Sequence, residues 1–490
     1  MGDVADGLQP LSHGAFAACV IGGIVLLGPY LIRYSRGGEA VGIDGYYYEL
    51  QARSILETGT CFYRDKPCSV HIAISTLSRL TPDLRSAVNF SRAIAMATIV
   101  TSATILAFLH TRDLVISALV YGATATSEFL LILGDEFLAQ GLSTAALMAG
   151  LVALCLRPAS NAQRRLLTGG GAGLIATGAS FHRSAIPIVV IFLIAVVIAL
   201  ALAKIAEWGR LLAALSVAGL IAQMAVIGIK VLCPDSVVAS ELEWFPFGIG
   251  ANGLYNSASW IGAIAFCLTA LSLQRPRPGT GVSRGLSVLL AGAVCNPFAR
   301  YDLGLTGHFE RVLCASFGAV GFLVFALALW EWLYSMGVTH GRWLVAVSLL
   351  IGWGATLGSL RTDSHSPERI ARDRRSLRAS LSAVSPVVHP CLVVAPHGAE
   401  FQVAFERRWR AASRRRPSEC ASTKIVWILR QPRQAIRISS RDLVSDRDWL
   451  VTDEAALLRW LKTVPRTDAG EMFALNSLEL DGLWTPGAGG

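Results

Sequence analysis

The sequence predicts a polytopic α-helical membrane protein that ends in a small α/β domain outside the membrane. Three observations carry this. Of 490 residues, 53% are hydrophobic and only 16% are charged, against about 25% charged in soluble domains. Apolar runs close to the ~20 residues that span a bilayer recur as far as residue 360. The remainder is polar, Arg-rich and patterned as alternating strand and helix.

The apolar runs lie near 12–32, 90–110, 114–133, 137–156, 166–181, 185–203, 211–232, 257–273, 286–299, 312–334 and 343–360. They predict about eleven transmembrane helices. The run at 166–181 is the shortest and is Gly-rich. No basic stretch precedes the first run, where Asp3 and Asp6 stand instead, so no cleavable signal peptide is expected. Short-loop charge sets the orientation. Arg112, Arg157, Arg164, Arg165, Lys204, Arg210, Arg275, Arg277, Arg284 and Arg342 fall in one set of loops. Arg183, Lys230, Arg300 and Arg311 fall in the other. The first set is read as cytoplasmic, which places 33–89 and everything after about 360 outside. The flanks of the first run, acidic before it and Arg33 and Arg36 after it, favour the reverse, and five loops outweigh them. The net charge of +9 is then partly topological, and no nucleic-acid partner is expected.

The expected organisation is a transmembrane domain over 1–360, with 33–89 as its first external loop, and an α/β domain over 361–490. In the loop, 45–57 has helical spacing, with Tyr47, Leu50 and Leu56 near one face. Twelve Arg fall between 361 and 416. Residues 366–382 read as a surface helix under an anionic membrane or as a solvated linker. Residues 391–395 and 424–429 read as strands. Phe401, Phe405 and Trp409 share a helix face, and Thr452 reads as the cap of a helix running to 462.

Ten cysteines divide by position. Cys19, Cys155, Cys267 and Cys314 sit in apolar runs as small hydrophobes. Cys233 and Cys295, near run ends, have no assigned role. Cys61 and Cys68 flank a six-residue external loop, and Cys391 and Cys420 lie in the external tail. An oxidising compartment makes Cys61–Cys68 and Cys391–Cys420 the expected disulfides. No spacing reads as a zinc site.

The chemistry-bearing residues cluster at the external ends. Gly42-Ile43-Asp44-Gly45-Tyr46-Tyr47-Tyr48 follows the first span, then Gly59, then Lys66-Pro67. Asp44 is a candidate general base at the membrane surface and equally a helix N-cap. Tyr46 and Tyr47 are candidates for substrate contact. Lys66 is a candidate phosphate cation or a solvated lysine. Gly134-Asp135-Glu136 falls in a very short external loop, where charge near hydrocarbon costs several kcal/mol unless it is satisfied or faces a cavity. The competing reading is a turn whose acids favour the next helix N-terminus. Arg92 begins the second span, and His182-Arg183 interrupts an apolar stretch. His308 and Arg311 precede the tenth span, and Glu243 lies beside Trp244 in another external loop. For His182 and His308, snorkelling at the interface competes with a functional role. Gly169-Gly170-Gly171 lacks the Lys-Ser/Thr of a P-loop and reads as close helix packing.

The loop resembles the first external loop of the GT-C glycosyltransferases, in the branch holding aminoarabinose transferases and protein O-mannosyltransferases. That branch reads roughly Asp-Glu-x-x-Tyr, a helix, a Gly, then Lys-Pro-Pro-Leu. Here Gly45 replaces the Glu, and Cys68 and Ser69 replace the second Pro and the Leu. The resemblance covers about 33–93 and, more loosely, the Asp135 loop. It implies a GT-C-like fold in a bacterial inner membrane, with the active site on the periplasmic side. It also implies a polyprenyl-phosphate-linked sugar donor, transfer with inversion, and a cell-envelope acceptor that is a lipid, a glycan or a protein. Asp44 is then the base, Asp135 and Glu136 the facing acidic motif, and Lys66 and Arg92 the donor-phosphate cations. His182, Arg183, His308 and Arg311 are further donor-side candidates. The family admits a divalent cation at Asp135. Asp44 and Asp135 are expected to face one water-filled cavity. A transporter or flippase of lipid-linked substrates is the competing class, with Asp135, Glu136 and His182 as relay residues. Such a protein would place its acids mid-span on broken helices.

Overall fold

A computed structural model describes residues 13–36, 38–42, 44–63, 68–156, 160–182, 318–338, 340–359, 367–383, 390–396, 398–412, 424–430, 444–445 and 449–454, with Leu268, Cys420, Leu457 and Arg459. The chain divides into two compact units, both discontinuous in sequence. One comprises Met1–Leu31, Pro67–Val70 and Phe90–Thr362; the other comprises Ile32–Lys66, His71–Asn89 and Asp363–Gly490.

The first unit is a helical bundle. Its described helices are α1 (His13–Ser35), α4 (Leu84–Thr111), α5 (Leu114–Ala125), α6 (Glu128–Asp135), α7 (Leu138–Cys155), α8 (Asn161–Phe181), α9 (Gly321–Ser335) and α10 (Gly341–Ser359), with α1 and α4 extending into the other unit. Among the described residues, three helices are long and apolar enough to cross a membrane: Ala17–Ser35, Leu84–Thr111 and Leu138–Cys155. There are four if α5 and α6, bent by 46° at Thr126–Ser127, form one broken span. The expected spans at 185–203, 211–232 and 286–299, and all of 257–273 but Leu268, lie outside the described residues. α8 is longer than the apolar run that predicted it. It starts at Asn161 because the Ser160 side chain caps it through the Gln163 N–H.

Neighbouring helices meet through small residues. A Cβ on Gly150 would lie 2.8 Å from the Gly171 carbonyl oxygen, and one on Gly178 would lie 2.9 Å from that of Ser143. α7 and α8 therefore approach backbone to backbone. Of the three consecutive glycines only Gly171 serves this contact, since Gly169 and Gly170 face open space. One end of the bundle carries ion pairs. Arg342 Nε lies 2.8 Å from Asp113 Oδ2, and His110 Nε2 lies 2.7 Å from Glu331 Oε1. Arg112, just before α5, and Arg342, in the first turn of α10, thus lie at one end of the bundle, on the one face to which short-loop charge assigns them. Ile21, Ile24 and Val25 on α1, and Trp343, Val347 and Ile351 on α10, leave apolar side chains exposed.

The second unit is an α/β fold built from two distant stretches of sequence. Its sheet has the order β2-β1-β3-β5-β4. The strands are β1 (Leu392–Val394), β2 (Ala411–Ala412), β3 (Ile425–Arg430), β4 (Val444–Ser445) and β5 (Trp449–Asp453). β1 pairs in parallel with β2 and β3, and β5 is antiparallel to β3 and β4. The tail adds helices α11 (Pro367–Ala383) and α12 (Ala399–Arg407), and the loop adds α2 (Gly45–Thr58). α3 (Ser69–Leu77) lies mostly in this unit. One apolar cluster joins Leu50 of α2 to Leu377 and Leu381 of α11, Val403 of α12, and Val393, Val426, Ile428 and Val451 of the sheet. The disulfide Cys391–Cys420 ties the start of β1 to the segment before β3, and Cys61 and Cys68 are also disulfide-bonded.

One local expectation is narrowed and two change. The stretch 366–382 is the helix of the two readings and not the linker, and α11 packs one face, with Leu377 and Leu381, into the core while Arg372, Arg375 and Arg378 stay exposed. Thr452 itself lies inside β5, where it pairs with Trp427, since Trp449-Leu450-Val451 favours a strand that β3 can bond; the described residues beyond it, Glu454, Leu457 and Arg459, are helical. Leu56 is exposed, while Tyr46, Tyr47 and Tyr48 are all buried, because α2 packs on both sides of its first two turns. Loop and tail share one core, so both lie on the same side of any membrane the chain crosses.

Candidate functional site

Asp44 stands at the N-cap position of α2, yet its side chain makes no capping hydrogen bond there. Its backbone carbonyl accepts from the N–H groups of Tyr47 and Tyr48 instead. The turn before it is forced by glycine at both ends. Gly42 has φ +78°, a region that side chains disfavour, and its carbonyl accepts the Gly45 N–H at 3.2 Å. A Cβ on Gly45 would lie 2.9 Å from the Ala40 carbonyl carbon. The position where the resembling family carries Glu therefore has no room for a side chain in this chain, and the departure from that pattern is a packing requirement.

A dense polar network surrounds the turn. The Tyr46 hydroxyl donates to Glu39 Oε2 at 2.6 Å and accepts from Arg378 Nη2 at 2.7 Å and Arg85 Nη2 at 3.3 Å. Arg378 forks onto both Glu39 oxygens at 2.7 and 2.8 Å, and its Nε donates to Glu406 Oε1 at 2.8 Å. Arg85 Nε donates to Glu49 Oε1 at 2.8 Å. Arg374 Nη1 donates to Gly398 O at 2.7 Å and Nη2 to Gly42 O at 3.2 Å. Burial and the hydrogen bond to Glu39 push the Tyr46 phenol well above its usual range, with Arg85 opposing. Burial pulls Arg374 below the ordinary guanidinium value, against the fields of Tyr46, Glu400, Glu39 and Asp44. Burial also pulls on Arg378, but its bonds to Glu406 and Glu39 outweigh it and raise the group. Tyr46 and Tyr47, read from sequence as substrate contacts, are core residues. Tyr47 packs against Phe401 and His71 at centroid distances of 5.1 and 5.3 Å.

The helical bundle holds a second set of candidates. Asp135 is the last residue of α6 and is buried; Glu136 is its C-cap. The α7 cap is Phe137, so Asp135 sits at the unfavourable end of a helix dipole rather than at a helix N-terminus. One turn into α7, Gln140 Nε2 lies 3.1 Å from His182 Nε2 at the end of α8. Ser69 Oγ donates to Ser180 O on that same last turn of α8. Arg92, fully buried in α4, belongs to this unit too. Asp44 belongs to the other unit and Asp135 to this one. Lys66, Arg183, Glu243, His308 and Arg311 lie outside the described residues.

Sequence reasoning missed Glu39, Arg374, Arg378 and Glu406. The tail's arginine density was legible, but not which arginines turn inward. Among the described residues, no group of three or more His, Cys, Asp or Glu is placed to hold a metal ion, and a cation at Asp135 rests on the resemblance. Compared with known proteins, the chain matches no family model and no curated sequence.

Proposed function

We propose that the chain is a membrane glycosyltransferase that moves a sugar, with inversion, from a polyprenyl-phosphate donor to a lipid, glycan or protein of the cell envelope. Its place is a bacterial inner membrane, with loop and tail on the periplasmic side. The observation that carries the reading is Asp44: a carboxylate at a cap position that does no capping, on a glycine-forced turn braced by a buried arginine. Asp44 takes the proton of the acceptor hydroxyl. The acceptor oxygen bonds to the anomeric carbon as the bond from that carbon to the phosphate oxygen breaks, and the electron pair leaves on polyprenyl phosphate. On the resemblance, Lys66 stabilises that charge. The Cys391–Cys420 disulfide supports an oxidising side for the tail.

The test is transfer by the purified protein in lipid vesicles, supplied with a polyprenyl-phosphate sugar and an envelope lipid extract, with release of polyprenyl phosphate as the readout. Asp44→Asn is expected to slow release by about 10²–10⁴. Undiminished release in that variant refutes the assignment.

One observation favours a transporter or flippase. The α5–α6 span is broken at Thr126–Ser127, and Glu128 opens the second half, the mid-span acid on a broken helix that such proteins use. Movement of intact donor across the vesicle bilayer, unaffected by Asp44→Asn and lost in Glu128→Gln, would establish that reading.

A further inference from the structure

Arg374 is the buried arginine of a helix whose neighbours Arg372 and Arg375 face solvent. Taking a guanidinium out of water costs several kcal/mol unless charge and hydrogen bonds replace the water. Two of its donors end on backbone carbonyls, those of Gly42 and Gly398. Each carbonyl belongs to a glycine with positive φ, +78° and +92°, and each glycine opens a turn. The first turn delivers Asp44 and the second starts α12. The guanidinium also stacks over the Tyr46 ring, 5.4 Å from its centroid. Carbonyls fix its position but neutralise no charge. The carboxylates whose fields act on it are those of Glu400, Glu39 and Asp44. Glu39 is already forked by Arg378.

We propose that Arg374 is the positioning residue of the Asp44 site: it is delivered by the tail, fixes the Gly42–Gly45 turn, and presents a permanent cation to the Asp44 carboxylate. This rests on the reading of Asp44 as the base, and it gives the tail a role in that reading. A base needs a fixed position when the acceptor arrives, and Arg374 holds the turn that carries it. α11 is therefore part of the reacting apparatus and not an appended module.

The test uses Asp44→Cys in the full-length protein, alkylated with a membrane-impermeant maleimide across pH 6–10 and read by peptide mass mapping. The thiolate is the reacting form, so the profile reports the charge facing position 44. In the Arg374→Gln background the profile is expected to shift upward by about one unit, about tenfold slower labelling near neutrality. Arg374→Lys is expected to restore most of the shift, since it keeps the charge. Leu381→Ala, in the same buried cluster, controls for loosening: it should lower the melting temperature and leave the profile in place. Identical profiles with Arg374, Gln and Lys overturn the proposal, as does an equal shift in the Leu381→Ala background. In the transfer assay with Asp44 intact, Arg374→Lys is expected to lower kcat about ten- to a hundredfold with donor KM unchanged. A wild-type protein that transfers nothing would refute the transferase reading and leave the titration result to decide the role of Arg374.

Discussion

The two units solve the same problem, polar groups inside a packed interior, in opposite ways. Among its described residues, the bundle pairs His110 with Glu331 and Asp113 with Arg342 at one end, and packs α7 on α8 through glycines that bring backbones into contact. The α/β unit buries charge in a continuous network, with Tyr46, Glu39, Arg378, Glu406, Arg85 and Glu49 linked hydrogen bond by hydrogen bond. The difference follows from the surroundings. In hydrocarbon a charge finds no water to fall back on, so small residues specify the helix contacts. In an aqueous domain assembled from two stretches more than 300 residues apart, directional ion pairs specify which stretch meets which. Hydrophobic packing alone would join them less selectively.

The strongest way to break this comparison is Gly45→Glu, which restores the acidic pair of the resembling family. It would press a carboxylate into buried space already filled by Ala40. The expected loss of stability is about 3 kcal/mol or more, seen as a lower melting temperature and faster proteolysis of the tail. Arg378→Met comes next. It leaves the buried Glu39 carboxylate with fewer donors, but Arg378 is itself 45% exposed, so the expected cost is about 2 kcal/mol. A change below about 0.5 kcal/mol would mean that the network does not join loop to tail.

Glycine substitutions sharpen the other half of the comparison. Gly150→Ala puts a methyl against the Gly171 carbonyl and is expected to destabilise the bundle by about 1–2 kcal/mol. Gly170→Ala meets nothing within 4 Å and is expected to be neutral or to stabilise the helix by up to about 1 kcal/mol. Equal effects in melting experiments would refute the backbone-contact account of α7 and α8.

Tyr46→Phe is expected to cost about 1 kcal/mol at neutral pH. Burial, then the bond to Glu39, raises the folded-state pKa of this phenol. Its contribution is thus fully present below the unfolded value of about 10 and is lost as pH rises from there toward the folded value. The wild-type protein should lose stability above about pH 10, and Tyr46→Phe should lose less over the same range. Denaturant titrations of both proteins at pH 8 and pH 11 would check the sign.

Several local features were legible because short-range chemistry sets them. The helix from Gly45, the strands at 392–394 and 425–430, and the long apolar helices of the bundle follow from periodicity and propensity. Cys391–Cys420 was legible from compartment and position in the tail. Thr452 was misread because its cap chemistry is local, while the strand it occupies is stabilised by β3, more than twenty residues away. The tyrosines were misread for a related reason. Aromatic rings at a membrane mouth suggest a ligand, and nothing in 46–48 reveals that α12 will cover them.

The sequence by itself determined the apolar helices, the polar tail and the order of strand and helix within it. Hydrophobic period and turn chemistry act over a few residues, so one stretch of chain suffices to read them. Only the tertiary structure decided that the loop after α1 and the tail after α10 form one folded unit, that Arg374 turns inward while Arg372 and Arg375 do not, and why Gly45 cannot be an acid. Those depend on which distant groups meet. A guanidinium is buried only where carbonyls and carboxylates from other segments replace its water, and a Cβ is excluded only where another backbone already stands.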